Sequence, residues 1–168
     1  MAFGTGHHAT TALCLEALEK VVVSHPVESL LDIGCGSGIL SIGAAMLGAK
    51  SIDAVDIDPK AIEVTQENSI INKLDNITAS TTPIDQVSKR YNVVVANILA
   101  NILVRLAAGI VQTVGDDSTL ILSGIPCHQI AEVHETFNAA YEAHWERGLP
   151  EPVLTQDGEW ACLVYSPA

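Results

Sequence analysis

Three closely spaced glycines, an acidic strand end and an asparagine closing a run of valines are the parts of this sequence most able to do chemistry. Gly34, Gly36 and Gly38 lie in LLDIGCGSGIL, between residues that read as a buried strand and residues that read as a helix. Without Cβ atoms the backbone there can turn sharply and lie close against a ligand. The spacing is G-x-G-x-G, and Ile39 stands where a dinucleotide-binding G-x-G-x-x-G carries its third glycine, which disfavours a nicotinamide dehydrogenase. Asp56 closes the following strand, where a carboxylate can accept both hydroxyl hydrogens of an adenosine ribose. Asp58, followed by Pro59, is better suited to cap a helix. Asn97 ends YNVVVAN, and its carboxamide offers one acceptor and two donors beside a cofactor.

The opening FGTGHHATT carries Thr5, His7, His8, Thr10 and Thr11 just before an apolar-periodic helix. Threonines at a helix start read first as caps and second as hydroxyls presented to a cofactor. His7 and His8 are adjacent and lack an evident third ligand, so no metal is expected. Cys14, Cys35, Cys127 and Cys162 form no C-x-x-C pair, and read as four buried thiols in a reducing compartment.

These residues need elements to position them. Ser29–Gly34, Ser51–Ile57, Tyr91–Asn97, Ser118–Gly124 and Glu159–Ser166 read as strands, and Asn76–Ser80 as a short edge strand. Helices are predicted over Ile39–Leu47, from Pro59 to about Asn72, from about Leu99 to Thr113, and from Pro126 to about Tyr141. A further strand is expected between Glu142 and Gln156. Strands alternating with helices predict an α/β fold: a Rossmann-like, seven-stranded, mostly parallel sheet with helices on both faces, occupying residues 1–168 as one domain. Ligands of such sheets bind beyond the carboxyl ends of the strands, at the switch point, where all these motifs fall.

Composition bounds the rest. With 48% hydrophobic and 17% charged residues the chain reads as a globular protein, with no run long enough to span a bilayer and no secretory signal. A cytoplasmic setting is the expectation. The net charge of −12 argues against direct nucleic-acid binding and suits a basic protein or an amine as partner.

Together AFGTG-x-H-x-TT, LLDIGCGSGILSIGAA, AVDIDPKAIE, VVVANILA and the terminal EWACL resemble the methyltransferases of large-subunit ribosomal protein L-eleven, the PrmA family, over the whole chain in motif order. The resemblance implies a class I methyltransferase fold and S-adenosylmethionine as cofactor. It also implies methyl transfer to lysine side chains and an N-terminal amine of a ribosomal protein. Carried over by position, Thr11, Gly34, Asp56 and Asn97 contact the cofactor, with Phe3, Gly4 and Thr5 lining the same pocket and Asn97 holding the amine. Backbone carbonyls of ANILA share that work, and His8 is the candidate general base. His7 stands where the family usually has Thr, and Ala9 where it has Pro. The family's N-terminal substrate-recognition domain is expected to be missing ahead of AFGTG. The alternatives are a methyltransferase for another protein or a small molecule, and a cofactor-binding module without activity.

Overall fold

The computed structural model describes residues 8–167. In chain order they form α1 (Ala9–Ser24), β1 (Leu30–Ile33), α2 (Ile39–Leu47), β2 (Ile52–Val55), α3 (Pro59–Ile71) and β3 (Ile77–Ser80). β4 (Tyr91–Asn97), α4 (Ala100–Val111), β5 (Val114–Pro126), α5 (Ile130–Trp145), β6 (Val153–Asp157) and β7 (Trp160–Tyr165) follow. The seven strands make one sheet in the order β3-β2-β1-β4-β5-β7-β6. β1 to β5 pair in parallel, and β7 runs antiparallel to both β5 and β6. The order reverses between β1 and β4, which opens a crevice at their carboxyl ends.

Both faces of the sheet are covered, so the central strands read as unbroken apolar runs without alternation. Leu31, Ile33, Val94, Ala96, Leu120 and Leu122 pack toward α4 and α5. Their partners are Leu103, Ala107, Ile110 and Val111 on α4, and Val133, Phe137 and Tyr141 on α5, both at helical spacing. Leu30, Val93, Val95 and Ile121 face the other way, against Leu13, Cys14, Ala17 and Leu18 of α1 and Leu40 and Ala44 of α2.

The local signals account for most boundaries. α2 begins and ends where expected and stops at Gly48, held at φ +115°. Asp58 caps α3, accepting from the Lys60 amide at 2.9 Å, with Pro59 in the first turn. The strand expected between Glu142 and Gln156 is β6. Two boundaries differ. β5 starts at Val114 rather than Ser118 and runs on to Pro126, which pairs with Trp160 of β7. Pro126 is extended (ψ 141°), so the helix expected to open there begins only after a short 3-10 turn at Cys127–Gln129. One thiol also differs from expectation: Cys127 is half-buried, whereas Cys14, Cys35 and Cys162 are buried.

Candidate active site

The turn after β1 is built from the inside. Gly34, Gly36 and Gly38 all have positive φ. The Gly34 and Cys35 amides donate to the Val55 carbonyl, at 2.8 and 3.1 Å, and the Gly38 amide to the Cys35 carbonyl at 2.8 Å. The Gly36 amide donates to Asp56 Oδ2 at 3.0 Å. These amides are engaged within the protein and not pooled toward an anion, unlike the phosphate-cradling loops of nucleotide-binding proteins. At Gly38 an added Cβ would sit 2.8 Å from Thr65 Cγ2, so this glycine serves packing against α3 as well as proximity to a ligand.

Two residues of α3 brace the same turn, and neither was singled out from the sequence. The Thr65 hydroxyl donates to the Gly36 carbonyl at 3.2 Å and lies 3.4 Å from Cys35 Sγ. Asn68 Nδ2 donates to the Ser37 carbonyl at 2.8 Å. Burial pushes the Cys35 thiol up to about 12, which removes it as a nucleophile.

Asp56 lies just past β2, with both oxygens aimed by amides: Oδ2 by Gly36, and Oδ1 by Asp58 at 3.0 Å. Each oxygen keeps acceptor capacity for a further donor. Asp32, on β1 two residues before Gly34, is the buried acid beneath the loop. Ser41 Oγ donates to its Oδ2 at 2.7 Å, while Oδ1 has no hydrogen-bond partner. Burial pushes its carboxyl up to about 6, against the hydrogen bonds from Ser41 that lower it. No sequence pattern marks that oxygen as unpaired.

Asn97 and Thr11 meet across the sheet edge: Asn97 Nδ2 donates to Thr11 Oγ1 at 3.4 Å. The helix cap expected of the threonines is made instead by His8. Its Nδ1 accepts from the Thr10 amide at 3.4 Å and lies 2.8 Å from Thr10 Oγ1. Its ring meets Trp160 edge-on, with centroids 5.2 Å apart. The Nδ1 lone pair of the candidate base is therefore committed to the cap. Thr10 and Thr11 fall in the first turn, where their side chains turn into the core and are buried. Ser123 Oγ, also overlooked, bonds the carbonyls of Thr10 (3.4 Å) and Ala161 (3.1 Å), tying the start of α1 to β7. The structure thus brings Thr11, Gly34, Gly36, Gly38, Asp56 and Asn97 to one end of the sheet. Phe3, Gly4 and Thr5 lie outside the described residues. Among the described residues no three His, Cys, Asp or Glu side chains converge as a metal-holding group.

A sheet of this order with a glycine turn at its switch point is the fold of the class I methyltransferases. The N-methyltransferase NodS from Bradyrhizobium japonicum WM9 superposes with a TM-score of 0.70 at 18% identity, covering 97% of this chain and 99% of that one. The ribosomal protein L11 methylase of Lactobacillus delbrueckii subsp. bulgaricus superposes with a TM-score of 0.87 at 31% identity, covering 99% of this chain and 81% of that one. The family model for ribosomal protein L11 methyltransferase (PrmA) matches residues 1–167, and the chain belongs to that family. Curated relatives of that name from Trichlorobacter lovleyi and Citrifermentans bemidjiense are 48% and 46% identical over 170 residues, 98% of this chain in each case. The chain spans about half the length of these relatives, 53% of each.

Proposed function

We propose that this chain transfers a methyl group from S-adenosylmethionine to amino groups of a protein, the lysine side chains or N-terminal amine of a ribosomal protein. The observation that carries the reading is the juxtaposition of Asn97, bonded to Thr11, with a glycine turn whose amides are held by the protein itself. Such a turn gives a ligand room without offering it an anion site, which suits a cationic cofactor better than a pyrophosphate. The unpartnered, buried Asp32 Oδ1 is an acceptor that a cationic amino group would satisfy. Asp56, with two aimed oxygens, suits the ribose hydroxyls. The residues present fit the cofactor.

When bound, S-adenosylmethionine supplies an electrophilic methyl carbon that a neutral amine attacks in line, opposite the sulfonium. Asn97 orients that amine through its carboxamide oxygen, one N–H of its NH₂ being given to Thr11. A lysine amine has an ordinary pKa near ~10.4, so its neutral form has to be favoured by removal from water at the strand ends. The continuous sheet, covered on both faces, supports reading the chain as one domain. Among the described residues no helix is long and apolar enough to cross a membrane. A ribosomal-protein substrate supports a cytoplasmic setting. Calorimetry should give binding of S-adenosylmethionine and none of NAD. Methyl incorporation into purified ribosomal protein should fall far more in Asn97→Ala than cofactor affinity does. Unchanged turnover in that variant at saturating cofactor removes Asn97 from the mechanism.

A further inference from the structure

We propose that Ile98, clamped between Gly34 and Gly124, is a positioning residue that fixes the acceptor side of the site against the cofactor turn. The inference rests on the reading of Asn97 as the amine-holding residue. β4 is flanked by β1 and β5, and each presents a glycine in the left-handed region beside Ile98: Gly34, just past β1, at φ +72°, and Gly124, at the irregularity within β5, at φ +81°. A Cβ at Gly34 would overlap Ile98 Cγ2. A Cβ at Gly124 would overlap the Ile98 carbonyl oxygen, and would lie 2.8 Å from its carbonyl carbon and 3.1 Å from its amide nitrogen. The β-branch methyl of Ile98 therefore rests on the cofactor turn, while its backbone rests on the end of β5. Ile98 also packs, half-buried, against the α4/α5 core.

The two contacts differ in kind. Against Gly34 the opposing atom is the methyl on the Ile98 β-branch, which moves only by rotation about a stiff χ1; against Gly124 it is backbone, which cannot move without moving Asn97. In-line transfer tolerates little displacement, since a shift of ~1 Å at the reacting atoms costs ~100-fold in rate. A clamp that grips the residue next to Asn97 from both neighbouring strands supplies that alignment. It also accounts for a glycine at position 124, where an added Cβ would meet the Ile98 backbone.

The test compares Ile98→Val with Ile98→Leu in the 168-residue chain. Valine keeps the Cγ2 methyl and loses a CH₂, whereas leucine keeps the volume and loses the branch at Cβ. The clamp requires Ile98→Leu to lower the rate of methyl transfer to purified ribosomal protein, at saturating cofactor, by at least ~10-fold more than Ile98→Val. A merely core-filling role gives the reverse order, because leucine conserves volume, and that order overturns the proposal. Gly124→Ala should lose ~100-fold in rate with cofactor affinity held within a factor of about two. A second readout needs no acceptor. Gly34→Ala should weaken S-adenosylmethionine binding by ~10-fold or more in calorimetry, and adding Ile98→Ala, which deletes the opposing methyl, should recover at least about threefold of it. Absence of recovery overturns the clamp. Recovery without methyl transfer by the unmutated chain sustains the clamp and sinks the assignment of the acceptor.

Discussion

Asp56 and Asp58 are two acids in one turn with different work. Asp58 caps α3, and Asp56 joins the glycine turn to the end of β2 through the amides of Gly36 and Asp58 itself. Asp56→Ala should weaken S-adenosylmethionine binding by ~1.5–3 kcal/mol, the range for hydrogen bonds to a charged group, as read by calorimetry. Asp58→Ala should cost about 1 kcal/mol of stability in a urea melt and much less affinity. Equal affinity losses would overturn the division. Asp32 makes a pH prediction. The unfolded chain gives up that proton near the ordinary 3.8, while the folded protein keeps it to about 6, because burial disfavours the charge. The folded state binds the extra proton between those values, so this group's contribution to stability is lost as pH rises through the window and is flat above it. A gap of that size corresponds to about 3 kcal/mol. Asp32→Asn cannot ionise, so its stability relative to the parent should rise by up to that amount from about pH 4 to about pH 7 in urea melts of the ligand-free protein. A difference that stays constant with pH would mean that the buried carboxylate carries no such penalty.

At the scale of elements, α3 does more than cover the sheet. Its first residues follow Asp56, and Thr65 and Asn68, further along, hold the carbonyls of Gly36 and Ser37. The helix therefore links the ribose end and the turn end of the proposed pocket as one rigid piece. Thr65→Val keeps the side chain's shape and removes the donor, leaving the Gly36 carbonyl without this partner. Cofactor affinity should fall by about 1 kcal/mol, a severalfold change. Gln66→Ala, on the exposed side of the same helix, should leave affinity unaltered. If both variants bind alike, the brace contributes nothing to the pocket. The other end of the sheet follows a different logic. β7 runs antiparallel between β5 and β6, which brings Trp160 up beside Pro126 and against the His8 ring at the start of α1.

For the molecule as a whole, charge is the dominant long-range feature. A net charge of −12 draws a basic protein toward the surface from a distance, and salt screens that attraction over a Debye length of ~10 Å at 0.1 M. KM for the ribosomal protein should therefore rise as salt is raised from about 0.05 to about 0.5 M, while affinity for S-adenosylmethionine, bound by short-range contacts, should change little. A flat KM would mean that recognition is not electrostatic. The four ion pairs among the described residues, such as Lys50 with Glu28 at 2.7 Å, are mostly solvent-exposed and contribute little to stability by comparison with the two cores.

Much of this was legible in the residues alone. The glycine turn, the Asp58 cap, the limits of α2 and the valine-rich β4 all come from signals that act within a turn or two of backbone: caps, φ requirements, periodicity. That is why they survive without tertiary context. The partners of those residues were not legible. Nothing near Gly38 announces Thr65, nothing near Asn97 announces Thr11, and the cap of α1 went to a histidine whose ring meets Trp160, far along the chain. The unpaired oxygen of Asp32 and the pinning of Ile98 by glycines from two other strands depend on β1 lying beside β4, a neighbour distant in sequence. Local sequence determined which elements form and where the reactive residue types sit. Strand order, chosen by burying both faces of the sheet at once, decided which of them meet.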